Sequence, residues 1–229
     1  QETAIDCGLS YDSDCPNESC EHVNFLGLPK YSIPRRGLLI QSQATVARIR
    51  LAHCMSSWWT SDAKTSFMGI DDKFGGCALI SCPVSMPCVI RVNQTVFEHC
   101  HGNTGGGVGI VEGATVSMTN TSFFKCSGVS GGALVVSKSS ATLVWHRGMV
   151  TESWVRGHKH WYGGALYIDE GQAELNDLDF RSCYAYRNGG FGASIFATSG
   201  LPINVTGSTF TNNNGPAGVS DIFYTAGTP

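Results

Sequence analysis

Short segments in which hydrophobic and polar residues alternate run through most of the chain, separated by Gly, Asn and Ser. Clear examples lie at 116–118, 175–180 and 203–205. Alternation with a period of two predicts β-strands. Nothing in this region has apolar residues three and four positions apart over a helical length, so we expect an all-β protein.

Two motifs recur along the chain. The first is Phe-x-x-Cys or Phe-x-x-Asn, which recurs at a nearly constant interval, at Phe97, Phe123, Val150 (a weaker copy), Phe180 and Phe210. The second is Gly-Gly-Ala-Leu or a variant, with copies starting at Gly75, Gly106, Gly131, Gly163 and Phe191. Strand repeats at so regular an interval predict a parallel β-solenoid, whose turns stack about 4.8 Å apart so that equivalent residues form columns.

The paired motifs Phe-x-x-Asn, here mostly Phe-x-x-Cys, and Gly-Gly-Ala-Leu resemble the repeats of the chlamydial polymorphic outer membrane proteins and of similar right-handed, pectin-lyase-like β-helix proteins. The resemblance covers about residues 37–222. It implies a right-handed parallel β-helix with an adhesive or surface role, and it implies no catalytic residue. Cys at the usual Asn position favours a eukaryotic or otherwise secreted relative.

We expect two regions along the chain. Residues 1–36 lack the repeat and contain three cysteines, which predicts a disulfide-bonded N-terminal cap over the first turn. Residues 37–229 are predicted to form a solenoid of about six turns, with inserted loops at 55–74 and 154–162. Only five residues follow Tyr224, so we expect an uncovered C-terminal end, whose strand edges invite pairing with another chain.

Ten cysteines without a Cys-x-x-Cys pair favour disulfides over zinc and an extracellular or cell-surface location. The disulfide candidates are Cys7, Cys15, Cys20, Cys54, Cys77, Cys82, Cys88, Cys100 and Cys126. Stacking would bring Cys54, Cys100 and Cys126 into one column, and we expect one bond among these three. Cys183 is expected to be buried, either free or paired with a loop. The alternative is a column of small buried residues without a disulfide.

Four Asn-x-Ser/Thr sequons predict N-glycosylation, which also indicates secretion. They lie at Asn17, Asn93, Asn120 and Asn204. In the predicted repeat, Asn93 and Asn120 precede the Phe position by four and three residues. Their glycans should therefore emerge nearly one above the other on one flank.

Aromatic residues concentrate in segments that follow one corner of the repeat. The predicted binding patch consists of Trp58, Trp59, Trp154, Trp161, Tyr162, Tyr184 and Tyr186. If these rings gather on one flank, they suit stacking on sugar rings or on a cell-surface protein. The alternative is that the rings pack on one another over the rod.

Candidate catalytic and metal-binding groups are few. Asp177 and Asp179 are spaced as the two carboxylates of an inverting glycosidase would be, if both point the same way. Counting back one repeat places Arg147 beside Asp177, which favours an ion pair instead. His53 and His99 should stack, but no third ligand accompanies them. We therefore predict no catalytic residue, no metal and no cofactor.

The charge and hydrophobicity of the chain exclude two further classes. With 15 basic and 18 acidic residues, the net charge of −3 gives no electrostatic case for binding nucleic acid. The most apolar uncharged stretch, 74–90, contains two prolines and three cysteines, so we expect no membrane span. The sequence predicts a secreted structural or adhesive glycoprotein that joins head to tail into an extracellular fibre through its solenoid ends. The alternative is a carbohydrate-binding or polysaccharide-degrading β-helix protein.

Overall fold

A computed structural model describes residues 3–6, 38–40, 42–54, 75–155, 161–185, 190–198, 201–215 and 221–225. These residues form β-strands joined by turns and bends, and none of them is helical. Accordingly, this part of the chain contains no helix with the length and hydrophobicity needed to cross a membrane.

The strands are short in the first turns and longer in the middle of the chain. In chain order they are β1 (Thr3–Asp6), β2 (Leu38–Ile40), β3 (Ala44–Ala47), β4 (Ile49–Ala52), β5 (Ala78–Ser81), β6 (Cys88–Asn93), β7 (Val96–Glu98), β8 (Val108–Val111), β9 (Ala114–Phe124), β10 (Ser127–Gly128), β11 (Leu134–Ser137), β12 (Thr142–Thr151), β13 (Trp154–Val155), β14 (Trp161–Tyr162), β15 (Leu166–Asp169), β16 (Gln172–Arg181), β17 (Tyr184–Ala185), β18 (Gly190–Phe191), β19 (Ile195–Ala197), β20 (Ile203–Thr206), β21 (Thr209–Thr211) and β22 (Ile222–Tyr224).

Each strand pairs in parallel with the equivalent strand one turn later. Sheet A contains ten strands, in the order β1-β4-β7-β9-β12-β16-β20, with β3, β6 and β21 pairing alongside this path. Sheet B is β2-β5-β8-β11-β15-β19-β22, sheet C is β10-β13-β17, and β14 pairs with β18. The chain is therefore an all-β parallel solenoid, which confirms the predicted fold class. Connections between parallel strands of one sheet are expected to be right-handed.

The described strands form about four nearly complete turns, from β5 to β18, with a partial turn at each end. The predicted number of about six turns is therefore higher than the number of nearly complete turns that the described residues form. The main cluster of buried apolar side chains fills the interior from Ile40 to Ala197, and Val155 and Ala185 form a second, small cluster.

The predicted Phe column is present in sheet A. Phe97 lies in register with Phe123, and Phe180 lies in register with Phe210. Their rings stack with centroids 4.8 Å and 5.0 Å apart, respectively. Leu51 and Val150 occupy the same column and are buried with them. The recurring motif is therefore the inward face of sheet A.

Two columns of left-handed residues bend sheet A. One column is Arg48, Gln94, Asn120, Arg147 and Asp177, with φ between 49° and 55°. The other is His53, His99, Lys125, Glu152, Ser182 and Asn212, with φ between 48° and 54°. At each bend the inward–outward alternation is interrupted, which sequence periodicity did not predict.

The corner that leads into sheet B consists of glycines with φ from 63° to 71°, such as Gly131 and Gly163. A Cβ added at Gly163 would lie 1.7 Å from the backbone oxygen of Leu166. Any side chain is therefore excluded there, which explains the recurring Gly of the second motif.

Part of the predicted cap belongs to the stack itself. β1 pairs in parallel with β4, with Ile5 opposite Leu51, so it adds a strand to sheet A before the first turn. Residues 7–37, including Cys7, Cys15 and Cys20, lie outside the described residues, as does the predicted loop at 55–74. Of the predicted loop at 154–162, the two ends form β13 and β14.

Candidate functional site

Three of the four sequon asparagines lie on the outer side of sheet A. Asn93 pairs in register with Thr119, the residue before Asn120. Asn120 therefore lies in the next strand level and one residue farther along the strand. Asn120 is exposed at the left-handed bend. Asn204 is exposed in β20 opposite Glu174, three levels beyond Asn120. Glycans on these residues would cover one flank of the rod. Asn17 lies outside the described residues.

Two buried threonines hold the bend from inside: Thr95, the hydroxyl residue of the Asn93 sequon, and Thr121, which directly follows Asn120. Thr95 and Thr121 are fully buried and in equivalent positions. The Thr95 hydroxyl donates to the backbone oxygen of Asn93 at 3.0 Å, and that of Thr121 donates to the oxygen of Val92 at 3.3 Å. Buried hydrogen bonds therefore fix the backbone next to Asn93 and Asn120.

The cysteine pairing differs from the predicted one. Cys100 forms a disulfide with Cys77, and Cys82 forms one with Cys88. Cys54 is also disulfide-bonded, to a partner outside the described residues. Cys126 is free, so its place among the disulfide candidates and the expected bond within the Cys54, Cys100 and Cys126 column are both wrong.

The reason for this difference is the position of Cys77. It follows the Gly75 corner and lies with its Cα 5.4 Å from that of Cys100. The repeat identifies neighbours in successive turns, but it does not identify which corners approach each other across the coil.

Cys126 and Cys183 are buried and free. Burial raises the pKa of each thiol to about 12. Each thiol points at a backbone oxygen, that of Phe97 at 3.5 Å and that of Val150 at 3.6 Å. Since a thiol must ionise to act as a nucleophile, these two residues serve the packing of the corner rather than chemistry.

The two histidines that directly precede Cys54 and Cys100 stack on each other, as the repeat predicts. The rings of His53 and His99 lie 5.1 Å apart and are nearly parallel, at 18°. Burial and the neighbouring His53 lower the pKa of His99. His101 is buried and hydrogen-bonds through Nδ1 with the Ser127 hydroxyl at 2.6 Å. In the described part of the chain, no three His, Cys, Asp or Glu side chains are grouped so as to hold a metal ion.

One of the candidate carboxylates lies at a bend, and the other lies two residues beyond it. Asp177 occupies the left-handed corner with φ 55°, and Asp177 and Asp179 both face outward on either side of the buried Leu178, as predicted. Arg147 is the neighbour of Asp177 one strand level earlier, as the repeat predicted. Asp179 forms an ion pair with Arg181 and accepts a hydrogen bond from Thr209 at 3.0 Å. The Arg181 contact lowers the pKa of Asp179, whereas a general acid needs a raised pKa.

The described members of the predicted aromatic patch divide between two clusters. Trp154 and Tyr184 are register neighbours in sheet C. Tyr162 instead stacks on Phe196 with centroids 4.3 Å apart, and Tyr167 lies 5.5 Å from Tyr162. Trp58, Trp59 and Tyr186 lie outside the described residues, and only the backbone of Trp161 is described.

The cluster around Tyr162 contains rings that the sequence reasoning missed. They are Tyr167, Phe191, Phe196 and Phe223, and Phe191 is 37% exposed. Tyr167, Phe196 and Phe223 occupy one outward column of sheet B. The sequence contains a signal for this column, because each of its three aromatic residues comes one position after the recurring inward residue of the second motif.

A carboxylate lies beside this ring cluster. Asp169 accepts hydrogen bonds from the hydroxyls of Thr198 at 3.0 Å and Ser137 at 3.4 Å. Burial, together with Asp169, raises the pKa of Tyr167 above its ordinary value. The cluster thus places aromatic rings beside a carboxylate that accepts hydrogen bonds from two hydroxyls. Sugars are commonly bound by groups of these kinds.

A short apolar loop projects between β5 and β6 and was also missed. The Cys82–Cys88 disulfide closes it, and Val84 and Met86 are 64% and 70% exposed. The Met86 backbone N–H donates to the Pro83 oxygen at 2.8 Å, which closes a turn inside the loop.

Comparison with known proteins gives no relative: no family model matches the chain, and neither a curated protein nor a solved structure is similar to it.

Proposed function

We propose that this chain is a secreted, non-enzymatic structural or adhesive glycoprotein that assembles head to tail into an extracellular fibre. The observation that carries the proposal is the unbroken stack of in-register strands, seven levels deep in sheet B. Such a stack is stiff along its axis because every turn is hydrogen-bonded to the next. Stiffness along the axis is a property expected of a fibre subunit.

The environment of the folded chain supports the extracellular part of the proposal. The Cys77–Cys100 and Cys82–Cys88 disulfides indicate an oxidising environment. Exposed asparagines in sequons, such as Asn120 and Asn204, are suited to carry glycans. Glycans on the outer side of sheet A would leave the ends and the other flanks for contact.

The last described turn supports self-association. Ile222 and Tyr224 are 39% and 50% exposed, whereas Ile195 and Ala197 in the same columns one turn earlier are 0% and 1% exposed. Exposed apolar side chains favour contact with another protein surface. A contact between unlike ends need not close into a ring, so it extends into a fibre.

The test uses the full chain, produced through a eukaryotic secretory pathway and concentrated. Sedimentation velocity and negative-stain electron microscopy should show concentration-dependent filaments one solenoid wide. Tyr224→Lys, at the end of the stack, should abolish the filaments. Met149→Lys, at a 37% exposed position on the side of sheet A, is the matched control and should leave them intact. Dispersed monomers of the unmodified chain at high concentration would overturn the proposal.

The ring cluster on sheet B favours a second candidate, a carbohydrate-binding protein. Phe191 exposes an aromatic surface, and Asp169 with its hydroxyl partners lies beside Tyr167. A glycan array probed with the chain and with Trp58, Trp59, Trp161 and Phe191 variants tests this candidate. Oligosaccharide profiles before and after incubation test polysaccharide degradation, and unchanged profiles dismiss it.

A further inference from the structure

Two of the described sequons differ in the exposure of their hydroxyl residue. In the Asn93 sequon, Asn93 is half-buried and Thr95 is 0% exposed. In the Asn204 sequon, both Asn204 and Thr206 are exposed. The enzyme that attaches N-glycans recognises the hydroxyl residue of a sequon together with the asparagine. The folded chain therefore presents the whole Asn204 sequon, but it buries the hydroxyl of the Asn93 sequon.

Hydrogen bonds and strand pairing hold the Asn93 sequon in this buried form. The Thr95 hydroxyl donates to the Asn93 backbone oxygen at 3.0 Å, so the group that the enzyme recognises is engaged inside the sequon itself. Asn93 lies in β6 between two strands, with Ala47 of β3 on one side and Thr119 of β9 on the other. Releasing Thr95 therefore requires this part of sheet A to open.

Two disulfides fix the segment around this sequon. The Cys77–Cys100 bond closes a loop that contains Asn93. The Cys82–Cys88 bond ends at the first residue of β6. Cross-links of this kind stabilise the folded state because they restrict the unfolded chain. Once both bonds have formed, the opening that releases Thr95 is rarer than in the reduced chain.

We propose, on the basis of the glycoprotein function above, that the burial of Thr95 limits glycan attachment at Asn93 to the time before this turn folds. Asn204, in contrast, accepts a glycan in the folded chain as well. In the attachment step, the anomeric carbon of an oligosaccharide leaves the diphosphate of its lipid carrier and bonds to the asparagine side-chain nitrogen, which loses a proton. The lipid diphosphate is the leaving group. Folding and disulfide formation thus compete with glycosylation at Asn93.

The test compares two forms of the full, unglycosylated chain as acceptors for a purified oligosaccharyltransferase with its lipid-diphosphate oligosaccharide donor. One form is folded with its disulfides intact. The other is reduced and alkylated with iodoacetamide, which prevents refolding. Glycopeptide mass spectrometry measures the occupancy at each asparagine. The reduced form should be modified at Asn93 and Asn204, whereas the folded form should be modified at Asn204 and not at Asn93.

Lys138→Asn is the matched control, because it creates a sequon with Ser139 and Ser140 at a corner where all three positions are exposed. Position 138 has φ 84°, and asparagine tolerates the left-handed region better than most residues. The new sequon should be modified in the folded form, since its hydroxyl residue is exposed.

A second measurement follows the competition during synthesis in microsomes, with the oligosaccharide donor limiting so that occupancy is incomplete. Dithiothreitol should raise the occupancy at Asn93 and leave that at Asn204 unchanged, because it delays the two disulfides. An unchanged occupancy at Asn93 would contradict the competition.

Modification of the folded form at Asn93, or its failure at Asn204, would overturn the role of the buried hydroxyl and leave the glycoprotein function intact. A reduced form that is not modified at Asn93 would instead remove this site from the glycoprotein function.

Discussion

The rings of Phe97 and Phe123, one repeat apart in the chain, lie 4.8 Å apart and within 11° of parallel. This distance is the spacing of adjacent strands, so one turn of the solenoid separates the two residues. Trp145 adds an edge contact to Phe123 at 5.4 Å. The stack of Phe97 on Phe123 is therefore a contact between successive turns along the axis of the rod.

Phe123→Ala should destabilise the protein by about 3–5 kcal/mol, because it removes a fully buried ring and leaves a cavity. The free energy of unfolding in denaturant measures this effect. Phe124→Ala is the matched control, since its ring is on the outward side beside His99 and Lys125. It should cost only about 1 kcal/mol. Equal losses in the two variants would contradict the inward column.

The columns could be predicted from the sequence because a fixed interval makes equivalent residues neighbours. That is why counting back one repeat placed Arg147 beside Asp177 correctly. The left-handed bends could not be predicted in the same way, because residues such as Arg48 and Lys125 adopt φ values that are normal for glycine.

The site was predicted less well than the fold. Contacts across the coil, such as Cys77–Cys100, depend on how the corners close rather than on the interval. The ring cluster at Phe196 and Phe223 was missed because outward positions of a strand were expected to be polar, whereas Phe196 is 3% exposed.

His101 should make folding stability depend on acidity. Burial, reinforced by His99 and His53, lowers the pKa of His101 from 6.5 to about 3. Because the folded pKa is below the unfolded one, stability is complete above pH 6.5 and falls as the pH decreases towards 3. Thermal unfolding measured across this window should show the loss.

His101→Asn keeps a polar partner for Ser127 and removes this titration, so its stability should fall less steeply with acid. Some dependence should remain, because the pKa of His99 is lowered too. His146→Asn, on the outer side of sheet A, controls for the loss of a histidine elsewhere. An acid profile of His101→Asn identical to that of the unmodified chain would refute the role of His101.

Cys126 and Cys183 should resist alkylation in the folded protein. Both thiols are buried and have pKa values of about 12, so little thiolate forms at mildly alkaline pH. Iodoacetamide should modify both after unfolding without a reductant, as read by peptide mass spectrometry. Cys77 and Cys100 should be modified only after reduction. A disulfide-linked peptide that contains Cys126 would contradict this pattern.

Each described sequon should carry one glycan when the chain passes through a secretory pathway. Asn93→Gln, Asn120→Gln and Asn204→Gln should each remove the mass of one glycan in intact mass spectrometry. Asn176→Gln is the control, because Asn176 lies on the same outer side but outside a sequon. Unmodified Asn93 and Asn120 in native material would remove the basis for a glycan-covered flank.

The direction of the strand spacing in the assembled protein tests the central claim most directly. In a fibre of solenoids joined head to tail the strands stack along the fibre axis, so the strand spacing of about 4.8 Å lies parallel to that axis. Fibre diffraction or cryo-electron microscopy of concentrated native protein should show this spacing along the axis. Strand spacing perpendicular to the axis, or the absence of any ordered assembly, would contradict the account.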